Sequence, residues 1–209
     1  MNTRSTPAEQ PKGARFSDEL RVWAASGGDG TVGSLIDTFG EKSFAVLFVL
    51  LLGVPALPLP TGGVTHVFEA IALFLALQLL IGRRTVWLPL RWRRVALAGP
   101  KSERFVERLL RLIAWLERRS KPRGGFLLGS RLSNAIFGAL VFIGTAAAFL
   151  APPFSALDTL PALGVVVLSV GVLVEDVVIV GAGVAIGAGG IALLLALGRA
   201  VVRGIADLT

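Results

Sequence analysis

A histidine and a glutamate, His66 and Glu69, stand three residues apart inside a long apolar stretch. That spacing puts both side chains on one face of a helix. Imidazole and carboxyl are groups that can exchange a proton near neutral pH. An ionisable residue in a membrane helix is read first as functional. Asp158 stands alone in a second apolar stretch and is the natural counterpart. The three suit a polar cavity near the two turns that carries a proton or binds a polar group. Wet, structural positions at the membrane edge explain Glu69 equally well, and Asp158 slightly better. Pro58, Pro60 and Thr61 shape the turn just before His66 and join the candidate binding set. No metal or cofactor is expected. The chain has no cysteine and one histidine, so thiolate sites and imidazole clusters are excluded within one copy. Neither GxSxG, HExxH nor a Walker sequence occurs, and no enzyme is expected.

A second group is basic and aromatic. Arg83, Arg84 and Arg91 alternate with Trp87 and Trp92. Arginine and tryptophan together are what the end of a span places at the interface. They suit an anionic headgroup or a lipid-linked phosphate, although topology and snorkelling are the commoner use. Glu175 and Asp176 are an acidic pair at the end of another apolar arm. They could pair with Arg83 and Arg84. Gln78 and Asn134 read as glue between helices.

The elements that carry these residues follow from composition. The chain has 209 residues, of which 54% are apolar and 17% charged. Mean hydropathy is +0.73. Soluble domains are about 45–50% apolar and about 25% charged. A small polytopic membrane protein is implied, with about four to six spans of roughly 20 residues each. The net charge of +7 is local: residues 83–131 hold 14 of the 21 basic residues. The positive-inside rule makes that segment cytoplasmic. Within it, Phe105, Leu109, Leu112 and Leu116 form one helical stripe, widened by Val106 and Ile113. The pattern predicts an amphipathic helix over 101–121, lying on anionic lipid. Short helices over about 17–26 and 32–42 are expected on the membrane surface. No cleavable signal peptide is expected.

The apolar blocks are broken by prolines. Residues 43–68 carry no Asp, Glu, Lys or Arg, but Pro55, Pro58 and Pro60 and then Gly62-Gly63 interrupt them. About 12 helical residues before the break cover about 18 Å, against a hydrocarbon core of about 30 Å. That arm is too short for a straight span, so a re-entrant course is open and residues 55–65 are the first place to seek a site. A second block matches the first at an offset of 92, which sets Pro60 on Pro152, His66 on Asp158, and Arg83-Arg84 on Glu175-Asp176. Internal repeats are a transporter habit. The expected division is a polar tail (1–30), a first membrane repeat (31–82), a basic amphipathic linker (83–131), a second repeat (132–176) and a Gly-rich membrane segment with its tail (177–209). That last segment either crosses once or breaks at 187–190. The fold class is all-α, polytopic, with two proline-broken helical hairpins.

These residues carry a family resemblance. LPLP followed by TGG (57–63), and an arm ending LQLLIGRRTVWLP (77–89), resemble the ExoD family of bacterial exopolysaccharide-synthesis membrane proteins. LIDTFGEKSF (35–44), the turn APPF (151–154), LPAL (160–163) and Glu175-Asp176 fit as well. The resemblance covers roughly residues 30–200, and GRRxxWLP is its most specific piece. Val177, Ser155 and Ala156 depart from the pattern. The resemblance implies a role in exopolysaccharide production and, in rhizobia, in nodule invasion and alkaline tolerance. Read with the site residues, it implies an inner-membrane, multi-pass protein that moves an ion, a proton or a small polar or lipid-linked solute. The alternative is a structural subunit that organises a polysaccharide-synthesis complex. Expected partners are membrane lipids, an anionic lipid or lipid-linked glycan among them, and a second copy of the chain. Nucleic acid is not expected.

Overall fold

The computed structural model describes residues 16–25, 31–57, 64–95, 111, 113–119, 131–152, 155 and 157–206. Pro58, Pro60, Thr61 and most of 101–121 lie outside the described residues. Regular structure among the described residues is helical. The elements are α1 (Phe16–Ala25), α2 (Val32–Phe39), α3 (Ser43–Leu52), α4 (Val64–Leu80), α5 (Leu90–Arg93), α6 (Arg131–Leu150), α7 (Thr159–Leu173) and α8 (Val177–Ala206). A single 3-10 turn, Gly40–Lys42, joins α2 to α3.

The short apolar helices α3 and α7 are inside, and the longest, α6 and α8, are outside. At 1.5 Å per residue, α3 is about 15 Å long and α7 about 22 Å. Neither reaches across a hydrocarbon core of about 30 Å. Both are apolar all round, which marks a helix surrounded by protein. All of α3 except Leu50 and Leu51 is buried. The centre of the bundle is α7, packed against α8, α3 and α6, while α4 lies on α6 and α3. Two helices are long and apolar enough to cross a membrane, Leu132–Leu150 and Val177–Ala200. They carry exposed apolar residues such as Ile136, Ile143, Val178 and Leu195.

Both second arms, α4 and α7, end in the same cap. Arg83 N–H bonds the Gln78 carbonyl and Gly82 N–H the Leu79 carbonyl, both at 3.0 Å. Asp176 N–H bonds the Gly171 carbonyl at 2.9 Å and Glu175 N–H the Val172 carbonyl at 3.2 Å. These are Schellman pairs, which need a left-handed residue just past the helix. Gly82 fills that place at φ +89° and Glu175 at φ +57°.

The last segment is one helix of 30 residues, so the break considered at 187–190 does not occur. A glycine costs a helix about 1 kcal/mol relative to alanine. Opening the backbone away from water leaves polar groups unpaired at greater cost. Gly190 packs on Pro161, near the start of α7. Residues 191–206 therefore run about 24 Å beyond the start of α7.

The described apolar residues of the amphipathic pieces pack on protein. In α2, Val32, Leu35, Ile36 and Phe39 are buried in the main core. In 113–119, Ile113 is 1% exposed and Leu116 packs on the same core. A periodic stripe shows that a face must be covered, but not by what.

Candidate functional site

The site lies where α4 begins and where α6 gives way to α7. His66 and Glu69 sit one turn apart in the first half of α4. Glu69 has no exposed surface, and His66 Nδ1 stands 3.5 Å from its Oε2. Among the described residues, neither oxygen of Glu69 nor His66 Nδ1 has a hydrogen-bond partner. From α6, Phe149 meets the imidazole, with ring centroids 5.7 Å apart. Asp158, half-buried just before α7, lies within electrostatic reach of Glu69. The start of α4 and the residue just before α7, distant in sequence, thus come together at one carboxyl.

Such a carboxyl is unusual. Buried polar groups are normally paired, and an orphan invites an explanation. Charge here draws compensation from the neighbouring imidazole, since a lone buried ion costs several kcal/mol. A proton moving from Glu69 to His66 turns a neutral pair into an ion pair without changing the net charge. Two further buried hydroxyls among the described residues, Thr145 on α6 and Ser169 on α7, also lack partners, as does Asn134 Oδ1. Thr145 and Ser169 were not singled out by sequence, because a helical Ser or Thr commonly bonds its own chain four residues back. Phe149 was missed because one aromatic among many apolar residues carries no signal.

The Arg–Trp segment is built differently. Gln78 is buried and grips Trp87 by its backbone: Gln78 Nε2 donates to the Trp87 carbonyl at 2.9 Å, and Trp87 N–H donates to Gln78 Oε1 at 2.8 Å. Here Gln78 is glue between a helix and a loop. Gln78→Leu leaves both Trp87 backbone groups unpaired, and the expected loss is about 1–3 kcal/mol of stability per orphaned group. Thermal unfolding in detergent checks this; an unchanged midpoint would show the clamp to be dispensable. Trp87 and Trp92 are exposed, as are Arg83, Arg84 and Arg91. The Arg83 guanidinium stands 5.9 Å from the Trp87 ring centroid.

Glu175 faces Lys42 at 3.8 Å, and Arg84 faces Glu41 at 3.6 Å. The Gly40–Lys42 turn lies between the two arm ends and takes both charges. Asp176 caps α8, its Oδ1 accepting from Val178 N–H at 2.8 Å. Each ion pair is about a third or more exposed, so each contributes little, about 0–1 kcal/mol.

The model of a family described as exopolysaccharide synthesis, ExoD, matches residues 16–196. The chain belongs to the ExoD family. Protein ExoD of Rhizobium meliloti (strain 1021) is 29% identical over 173 residues, which is 80% of this chain and 71% of that one. An uncharacterized protein of Synechocystis sp. is 30% identical over 173 residues, 81% of each chain. No solved structure matches. Family membership implies involvement in exopolysaccharide synthesis. The two helices long and apolar enough to cross a membrane accord with a membrane protein.

Proposed function

We propose that this protein serves exopolysaccharide production by moving a proton or small cation through the site at Glu69, and that it does so without catalysing a covalent reaction. The observation that carries this is Glu69 itself: fully buried, with neither oxygen hydrogen-bonded among the described residues, and an imidazole 3.5 Å away. A purely structural residue there would be apolar or paired. Asp158 supplies a second carboxylate near the same point. The reciprocal packing of α3 on α7 and of α4 on α6 supports two matched hairpins, with the site between them. The test is proton flux in proteoliposomes loaded with a pH-sensitive dye, comparing the natural protein with Glu69→Gln. A scaffold tolerates that change; a carrier does not.

The same reading sets orientation. Arg83, Arg84 and the basic segment mark the cytoplasmic end. The α8 helix starts at that end and rises without a break, so its tail emerges on the other side. Against a background without native thiols, Asp207→Cys should react with an impermeant maleimide from outside. Ser102→Cys should react only after permeabilisation. Labelling of both from the same side would overturn this orientation.

A further inference from the structure

Outside the buried site, α4 presents a long groove to the surroundings. It encloses about 540 Å³ and is lined by His66, Ala70 and Phe74 along one helix face, with Pro89 and Trp92 against them. It runs along α4, and His66 lies eight residues, or about 12 Å, from Phe74. Apart from the imidazole and the Trp92 ring nitrogen, its lining side chains are apolar. Exposed cations gather at the end away from His66. Phe74 meets Trp87, ring centroids 6.4 Å apart, and Arg83 stands over Trp87. Arg91 is exposed beside Trp92. Because Gln78 holds the Trp87 backbone from both sides, Trp87 and the cation above it are positioned, not loosely draped.

We propose that this groove holds the acyl chain of an anionic phospholipid, with Arg83 at its phosphate. The polarity matches a lipid of the leaflet nearest the basic segment. Its head would lie at the Arg–Trp end, where headgroups and interfacial aromatics belong, and its tail would point along α4 toward the membrane interior. A volume of several hundred Å³ with an apolar wall and a few fixed polar groups at one end is the usual form of a small-molecule site. Gly82 and its cap turn the chain back at the end of α4, which brings Arg83 and Trp87 beside the groove.

Fluorescence of the full chain in phosphatidylcholine nanodiscs tests this. Dibrominated phosphatidylglycerol and dibrominated phosphatidylcholine are titrated separately as quenchers of its tryptophans. Phosphatidylglycerol is expected to reach half-quenching at a mole fraction at least threefold lower. Ala70→Phe fills the groove from an exposed position, and Arg83→Gln removes the cation; each should merge the two curves while circular dichroism stays unchanged. Coincident curves in the natural protein would mean ordinary surrounding lipid and overturn the proposal. So would a preference that survives Ala70→Phe, since headgroups would then bind the basic surface without the groove. Because the readout is binding, it stands or falls independently of proton flux through Glu69.

Discussion

Glu69→Gln should abolish dye-reported proton flux, by at least tenfold, while the protein still folds, inserts and purifies in natural yield. The amide keeps the size and shape of the side chain but cannot give up or accept a proton at that point. Its structural cost is small because little is lost: neither Glu69 oxygen is hydrogen-bonded. Glu69→Leu goes further. Replacing a buried, poorly compensated ionisable group with an apolar one of similar volume is often neutral or stabilising, by about 1–4 kcal/mol. A midpoint of unfolding equal to or above that of the natural protein is therefore expected, with flux absent. This combination separates a carrier from a scaffold. A scaffold would keep its exopolysaccharide output in both variants, whereas a Glu69 that only held the fold would cost stability in both. His66→Phe keeps the ring against Phe149 and removes the proton acceptor; it should lower flux with little change in stability.

Gly183→Ala should destabilise the bundle by about 2 kcal/mol or more, the upper part of the range for overpacking. The reason is backbone against backbone. A methyl at Gly183 runs into the amide nitrogen of Leu168 and comes within 2.7 Å of its Cα. One at Gly164 comes within 2.5 Å of Gly187 N and Cα. Helix axes must move apart to accept it, and α7 would lose its contacts along α8. Between helices in lipid, close packing is the attraction, because apolar burial gains nothing over the hydrocarbon around it. Gly181 and Gly189 are the control. Nothing lies within 4 Å of a methyl at either, so alanine there should be neutral or stabilising by about 0.5–1 kcal/mol through helix propensity. Thermal unfolding of the four single variants reads the contrast. Equal effects at 183 and 189 would show that close approach of α7 and α8 does not hold the bundle.

These two results bear on what could be read before the fold was known. The glycine enrichment of 177–198 pointed to close helix packing, but not to which glycines make the contact. Gly183 and Gly189 look alike in sequence; they differ only in which side of α8 faces α7. Likewise, the charged pairs at 83–84 and 175–176 were visible as matched ends. Their partners were not, because Lys42 and Glu41 come from a turn far along the chain. Gln78 was recognised as glue, but its grip on Trp87 depends on Gly82 turning the chain sharply back.

Hydropathy, charge bias and proline placement determined the helical class, the arms and the basic segment, and motifs such as GRRxxWLP carried the family resemblance, because each is local: a run of apolar residues, a break in it or a short motif needs no neighbour to be meaningful. The sequence also located Glu69, His66 and Asp158, since an ionisable residue amid apolar ones stands out in any window. Tertiary structure alone decided the rest. It placed the short arms inside the bundle, kept α8 unbroken, turned the apolar face of α2 toward protein, and brought Asp158 near Glu69 across 89 residues of chain. Those outcomes depend on which surfaces meet, and meeting surfaces are chosen by packing over the whole molecule rather than by any one segment.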